Sequence, residues 1–112
     1  MNLIDRLTDS ANQRFTIFTI DEGERVECVL KFSASQSLWF LSLTYNDITI
    51  NNISVVNSPN ILRAHKNILP FGLLVIVQDG FDPYFITDFL NERVRMFILS
   101  RDEVREIEVA FN

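Results

Sequence analysis

The chain is expected to fold as a mainly β protein, a β-sandwich or small barrel with one short α-helix. Three features predict this. Short runs of Phe, Ile, Val, Thr and Leu, residue types that suit a pleated surface, recur along its 112 residues. Residues 25–32 alternate with period two. Val26, Cys28, Leu30 and Phe32 fall on one face, and Arg25, Glu27 and Lys31 fall on the other, broken only by Val29. Polar turn clusters separate the runs, and six or seven strands with one helix bury their apolar faces most simply as packed layers.

Each element is read in order. Residues 1–13 form an N-terminal arm, or a first short strand, that turns polar from Asp9 to Gln13. Residues 14–20 are a strand rich in Phe, Thr and Ile. Asp21-Glu22-Gly23-Glu24 is a turn in which Gly23 supplies positive φ if the turn needs it. The alternating strand 25–32 follows, then a polar connection at 33–37. In residues 38–45, Trp39, Leu41 and Leu43 share one face and Leu38, Phe40 and Ser42 the other. Both faces are largely apolar, which predicts a central or doubly covered strand with Trp39 in the core. Asn46-Asp47 is a tight turn into residues 48–50, and Asn51-Asn52 predicts a bulge or bend before residues 53–56.

Ser58 and Pro59 read as the N-cap and first residue of a short helix near 58–67, with Ile61, Leu62 and His65 on one side and Pro70 as its stop. Residues 71–77 are a continuous apolar run, expected to be a buried strand. The longest irregular segment, 78–88, holds Gly80, Pro83 and the rings of Phe81, Tyr84 and Phe85. Residues 93–99 are the last strand of a core spanning 14–99, with Val94, Met96 and Ile98 on one face. The C-terminal extension 100–112 fits both periods. Val104, Ile107 and Phe111 make a helical stripe, and Ile107, Val109 and Phe111 make a strand face. The whole is expected to be a single domain of residues 1–112.

Composition excludes several classes of function. The net charge is −5, the isoelectric point is near 4.7 and no basic run exists, so nucleic-acid binding is not expected. One cysteine, Cys28, allows neither an intramolecular disulfide nor a multi-cysteine zinc site. The apolar stretch 68–77 is too short to cross a bilayer, and residues 1–6 lack a signal-peptide pattern, so membrane insertion and export are not expected. His65 is the only histidine, and its imaginable partner Cys28 lies on a core face where thiols are inert. Asp79, Asp82 and Asp88 suggest calcium ligands by type, but the loop lacks the twelve-residue pattern, and aspartates in such loops ordinarily serve turn chemistry. No catalytic, cofactor or metal residue is assigned, and the chain is not expected to be an enzyme.

The remaining candidates are interface residues. Phe81, Tyr84 and Phe85 stand in an otherwise polar loop, where three rings must tuck inward or meet a partner. Arg93 and Arg95 alternate on the last strand, either solvated or paired with an acidic neighbour across an oligomer contact. Ile107, Val109 and Phe111, set among Glu106 and Glu108, suggest a docking arm; the alternative is an extra strand or helix folded back on the chain.

Residues 12–99 resemble the phage baseplate plug family, best known from a cyanophage contractile-tail baseplate. The resemblance rests on Asn12-Gln13-Arg14-Phe15, the alternating strand to Phe32 and Leu38-Trp39-Phe40-Leu41. It continues through Asn60-Ile61-Leu62, Gly72-Leu73-Leu74-Val75-Ile76-Val77, Asp82-Pro83 and the strand ending at Leu99. Two family glycines are replaced, by Asn52 at the bend and by Asn91 in the last loop; asparagine tolerates left-handed backbone best after glycine. The resemblance implies a structural subunit of a contractile-tail baseplate, packed around tube and hub. It implies a virion-tail location after assembly in the host cytoplasm, other baseplate proteins as partners in a symmetric multimer, and a tail-tube-like fold of two sheets and a helix. The alternative function is a cytosolic protein-binding module or tail-assembly chaperone with a β-sandwich fold.

Overall fold

The computed structural model describes residues 1–111, the last of them without its side chain. Two antiparallel sheets make up most of it. The first is a meander of β2 (Asn12–Phe18), β3 (Arg25–Ser33), β4 (Leu38–Tyr45) and β5 (Ile48–Ser54), in that order. The second has the order β1-β7-β6, from β1 (Asn2–Ile4), β6 (Gly72–Val77) and β7 (Val94–Leu99). The last described element is helix α1 (Arg101–Phe111). The sheets remain open, so the fold is sandwich-like and not a closed barrel. No helix among the described residues is long and apolar enough to cross a membrane.

Period two decides which residues face inward. Ile17, Val26, Cys28, Leu30, Trp39, Leu41, Leu43 and Tyr45 are buried from the first sheet. Ile4, Leu73, Val75, Val77, Val94, Met96 and Ile98 are buried from the second, and all belong to one apolar cluster. Trp39 is fully buried, 5.1 Å from the ring of Phe32 and 5.2 Å edge-on to Phe89. Its indole N–H donates to the carbonyl of Phe85 at 3.1 Å, so the one polar atom of the ring is satisfied.

Several turns follow the expected chemistry. Asn46 takes φ 54° in the two-residue turn from β4 to β5. The register of β5 against β4 shifts between Leu41 and Leu43, and Asn52 stands there at φ 57° with its N–H on the Ser42 hydroxyl at 3.2 Å. The last loop takes left-handed backbone at Gly80 (φ 82°) and at Glu92 (φ 61°), the latter next to the expected Asn91, whose side-chain oxygen accepts the Arg93 N–H at 3.0 Å.

One expectation is corrected, and two readings left open are decided. Of the arm and the first short strand read at residues 1–13, the strand forms, and β1 pairs with β7 through Asn2↔Ile98 and Ile4↔Met96. The helix near 58–67 is only a 3-10 turn, Arg63–His65. Ser58 exchanges both backbone hydrogen bonds with Val75, and the Ile61 N–H donates to the Leu73 carbonyl. The segment proposed as a helix start is therefore held as an extra rung on β6, and the Asn60 side chain ties it to that strand. Its side-chain oxygen accepts from Leu62 N–H at 3.0 Å and from Leu73 N–H at 3.1 Å. The α-helix lies instead at the C-terminus, started by a capping box. The Ser100 hydroxyl accepts the Glu103 N–H at 3.2 Å, and the Glu103 carboxylate accepts the Ser100 N–H at 3.0 Å.

Candidate partner interface

The segment between β6 and β7 gathers most of the candidate interface residues, and one ion pair organises it. Asp88 is fully buried. Arg93, one residue before β7, grips it in two-point fashion, Nε to Oδ1 at 2.8 Å and Nη2 to Oδ2 at 3.0 Å. Asp88 Oδ2 also accepts the N–H groups of Tyr84 at 2.9 Å and Phe85 at 2.8 Å. Burial by itself pushes this carboxyl upward, but the Arg93 guanidinium and the two backbone donors outweigh it and hold its pKa below the ordinary value.

The same guanidinium ties down the rest of the loop. Nη1 meets Asp79 Oδ1 at 2.6 Å, Nη2 donates to the Asp82 carbonyl at 3.1 Å, and the Tyr84 ring lies 4.8 Å from the cation. Asp82 in turn accepts the Asn57 N–H at 2.9 Å. Pro83 and Phe89 are buried beneath the loop, Phe89 against Trp39. The three loop aspartates thus hold Arg93 and backbone donors.

This scaffold points apolar groups outward. Phe81 is 65% exposed, Phe85 53% and Leu90 54%, with Tyr84 and Ile86 somewhat less. The rings of Tyr84 and Phe85 lie against each other, tilted by 50° with centroids 4.3 Å apart. Phe81, Tyr84 and Phe85 were legible as ring residues in a polar loop. Ile86 and Leu90 were missed, although the same signal, an apolar residue with no strand or helix to bury it, marks them.

The structure separates the other candidates. Arg93 is engaged inside its own chain, by Asp88 and Asp79. Arg95 is exposed on the outer face of the second sheet, paired in register with Ile76. The C-terminal segment is folded back as α1, the alternative to a free docking arm. Glu108 bridges Arg63 at 2.9 Å and Lys66 at 3.0 Å, and those cations hold its carboxyl below the ordinary range. Val104 lies where a side chain on Gly72 would come to 2.9 Å of it. Ile107 is half-buried beside Pro59 and Asn60, whereas Val109 is 83% exposed. The side chain of Phe111 lies outside the described residues.

Cys28 is buried, and burial pushes its thiol up to about 12, far from a nucleophile's range. A cleft of about 510 Å³ lies away from the ring-bearing loop, lined by Tyr45, Ile48, Ile68 and Phe71 together with Lys66, Arg101 and Arg105. Each of those cations already has a carboxylate partner: Glu108, Glu22 and Asp102 respectively.

Among curated proteins, none matches this chain. A family model does, that of the cyanophage baseplate Pam3 plug gp18, over residues 1–102. The match takes in both sheets and the ring-bearing loop, and leaves only the body of α1 outside it. The chain therefore belongs to the cyanophage baseplate plug family and is a structural baseplate component of the phage tail.

Proposed function

We propose that the chain is a plug-like subunit of a contractile-tail baseplate, seated around the tube and hub, and that the loop between β6 and β7 is its principal contact with other baseplate proteins. One observation carries the reading. Five large apolar side chains, Phe81, Tyr84, Phe85, Ile86 and Leu90, are displayed on a loop whose backbone is fixed by the Asp88–Arg93 pair. Aromatic groups held in place before contact lose little freedom on binding, which favours a rigid packing role. The partners are other baseplate, tube and hub proteins, met in a symmetric multimer assembled in the host cytoplasm. Val109, exposed on α1, and Arg95, exposed on the second sheet, are peripheral contacts in this reading.

The test is particle assembly with Phe81→Ser and Phe85→Ser combined. Both rings are more than half exposed, so the variant chain is expected to fold as before. It is expected to be missing from purified particles, as judged by mass spectrometry or a cryo-EM map of the baseplate. Normal incorporation of the double variant would remove the loop from the contact.

A further inference from the structure

We infer that the open edge of β2 is a self-pairing surface, through which two copies of this chain join their first sheets across a twofold axis at Thr16. The four sheet edges are treated differently. The edge of β6 is covered, since Ser58 exchanges both backbone hydrogen bonds with Val75 and the Ile61 N–H donates to the Leu73 carbonyl. β1 is only three residues long. β5 is broken by its register shift and by left-handed Asn52. These are the ordinary means of blunting a sheet edge. β2 has none of them. Its seven residues pair with β3 without a shift, and the strand contains neither proline nor a residue of positive φ.

The hydrogen-bond alternation identifies the groups on offer. At the two ends of β2, the Ala11 carbonyl accepts from Phe32 N–H and the Thr19 N–H donates to the Glu24 carbonyl, both at 2.9 Å. Odd-numbered residues therefore face β3 with their backbone groups, and even-numbered ones face outward. Asn12 is engaged by the Ser10 hydroxyl, which donates to its carbonyl at 3.0 Å. Arg14, Thr16 and Phe18 are left, each exposed, with their N–H and C=O groups turned to the open edge.

A second copy fits this set in one register. With Thr16 opposite its own mate, Arg14 stands opposite Phe18, and Phe18 opposite Arg14. All six free backbone groups are then satisfied. On the outer face a Thr–Thr pair is flanked by two Arg–Phe pairs, which are favourable cross-strand combinations. Phe18, 55% exposed in the single chain, gains cover. The two Arg14 side chains lie four residues apart along the strand, about 13 Å, beyond a Debye length. Sliding the register to centre on Arg14 sets like charges directly opposite each other and is disfavoured.

The experiment is sedimentation of the full chain over a dilution series, with cysteine cross-linking as a second readout. The wild type is expected to show a dimer that dissociates on dilution. Thr16→Cys is expected to form a disulfide-linked dimer under mild oxidation, because Cys28 is buried and only the introduced thiol is accessible. Thr16→Pro removes a donor that β3 does not use, so it is expected to keep the circular dichroism of the wild type and lose the dimer. Should the proline prevent folding, Thr16→Lys places two ammonium groups across the axis and is expected to lose the dimer with the fold intact. A wild type that stays monomeric at every concentration and yields no Thr16→Cys cross-link overturns the proposal. So does a folded Thr16→Pro or Thr16→Lys variant that dimerises as the wild type does.

Discussion

Replacing Asp88 with Asn removes the carboxylate that Arg93, Tyr84 and Phe85 share, and is expected to cost on the order of 3 kcal/mol, measured by denaturant unfolding. The pH dependence follows from the direction of its shift. The folded pKa lies below the ordinary value of 3.8. The contribution of Asp88 is therefore complete above that value and is lost as pH falls through the lower, folded one. Acid titration of the Asp88→Asn variant should show a shallower loss of stability in that window than the wild type. Glu92 carries a different strain. It is held at φ 61°, and its side chain makes no hydrogen bond or ion pair among the described residues. Glu92→Gly relieves the left-handed backbone and is expected to stabilise by up to about 1 kcal/mol after glycine's own entropic cost, whereas Glu92→Ala should give no gain. Trp39→Ala, in contrast, opens the centre of the core and is expected to cost about 3–5 kcal/mol.

The coupling between α1 and the second sheet is a property of elements. Gly72 opens β6 where a side chain would stand 2.9 Å from both the Asn60 side-chain oxygen and a methyl of Val104. Asn60 is fixed by its two backbone donors, so α1 is the part able to give way. Gly72→Ala is expected to cost about 1–3 kcal/mol and to raise the hydrogen-exchange rate of α1 selectively. How legible these elements were depended on where their specification lies. Strands β3 and β4 were readable to within a residue because alternation is local, as at Val26, Cys28 and Leu30. The 58–67 segment was misread because its local signals, Ser58 and Pro59, are overridden by hydrogen bonds to Val75 and Leu73 on another element. No period within the segment reports those. The start of α1 was legible in Ser100-Arg101-Asp102-Glu103, a capping-box spacing that the competing strand period of the tail obscured. The rings of the candidate interface could be read as a loop anomaly. The Asp88–Arg93 clamp beneath them could not, since it depends on the loop folding back over the outer face where Arg93 stands.

At the scale of the whole molecule, α1 acts as a strap across the second sheet. Leu99 is almost fully buried, Val104 packs at Gly72, and Glu108 reaches both cations of the 63–66 turn. Truncation after Ser100 is therefore expected to lower the melting temperature and to expose the Gly72 end of the sheet, detectable as dye binding or loss of monodispersity. A truncated chain of unchanged stability would mean that the strap is dispensable.

The pairing of β1 with β7 also has a consequence in time. β2 to β5 form successive hairpins, each closing over a short turn, so their sheet can assemble while the rest of the chain is still leaving the ribosome. Asn2 meets Ile98, by contrast, and that contact must wait for nearly the whole chain to be synthesised. Loop closure over such a separation is slow and carries no reward until it is complete. Pulse-labelled refolding should protect the amides of β3 and β4 first and those of β1 and β7 last. Until that final closure, the apolar inner face of the meander has no second layer over it, and the newborn chain is at its most exposed to aggregation.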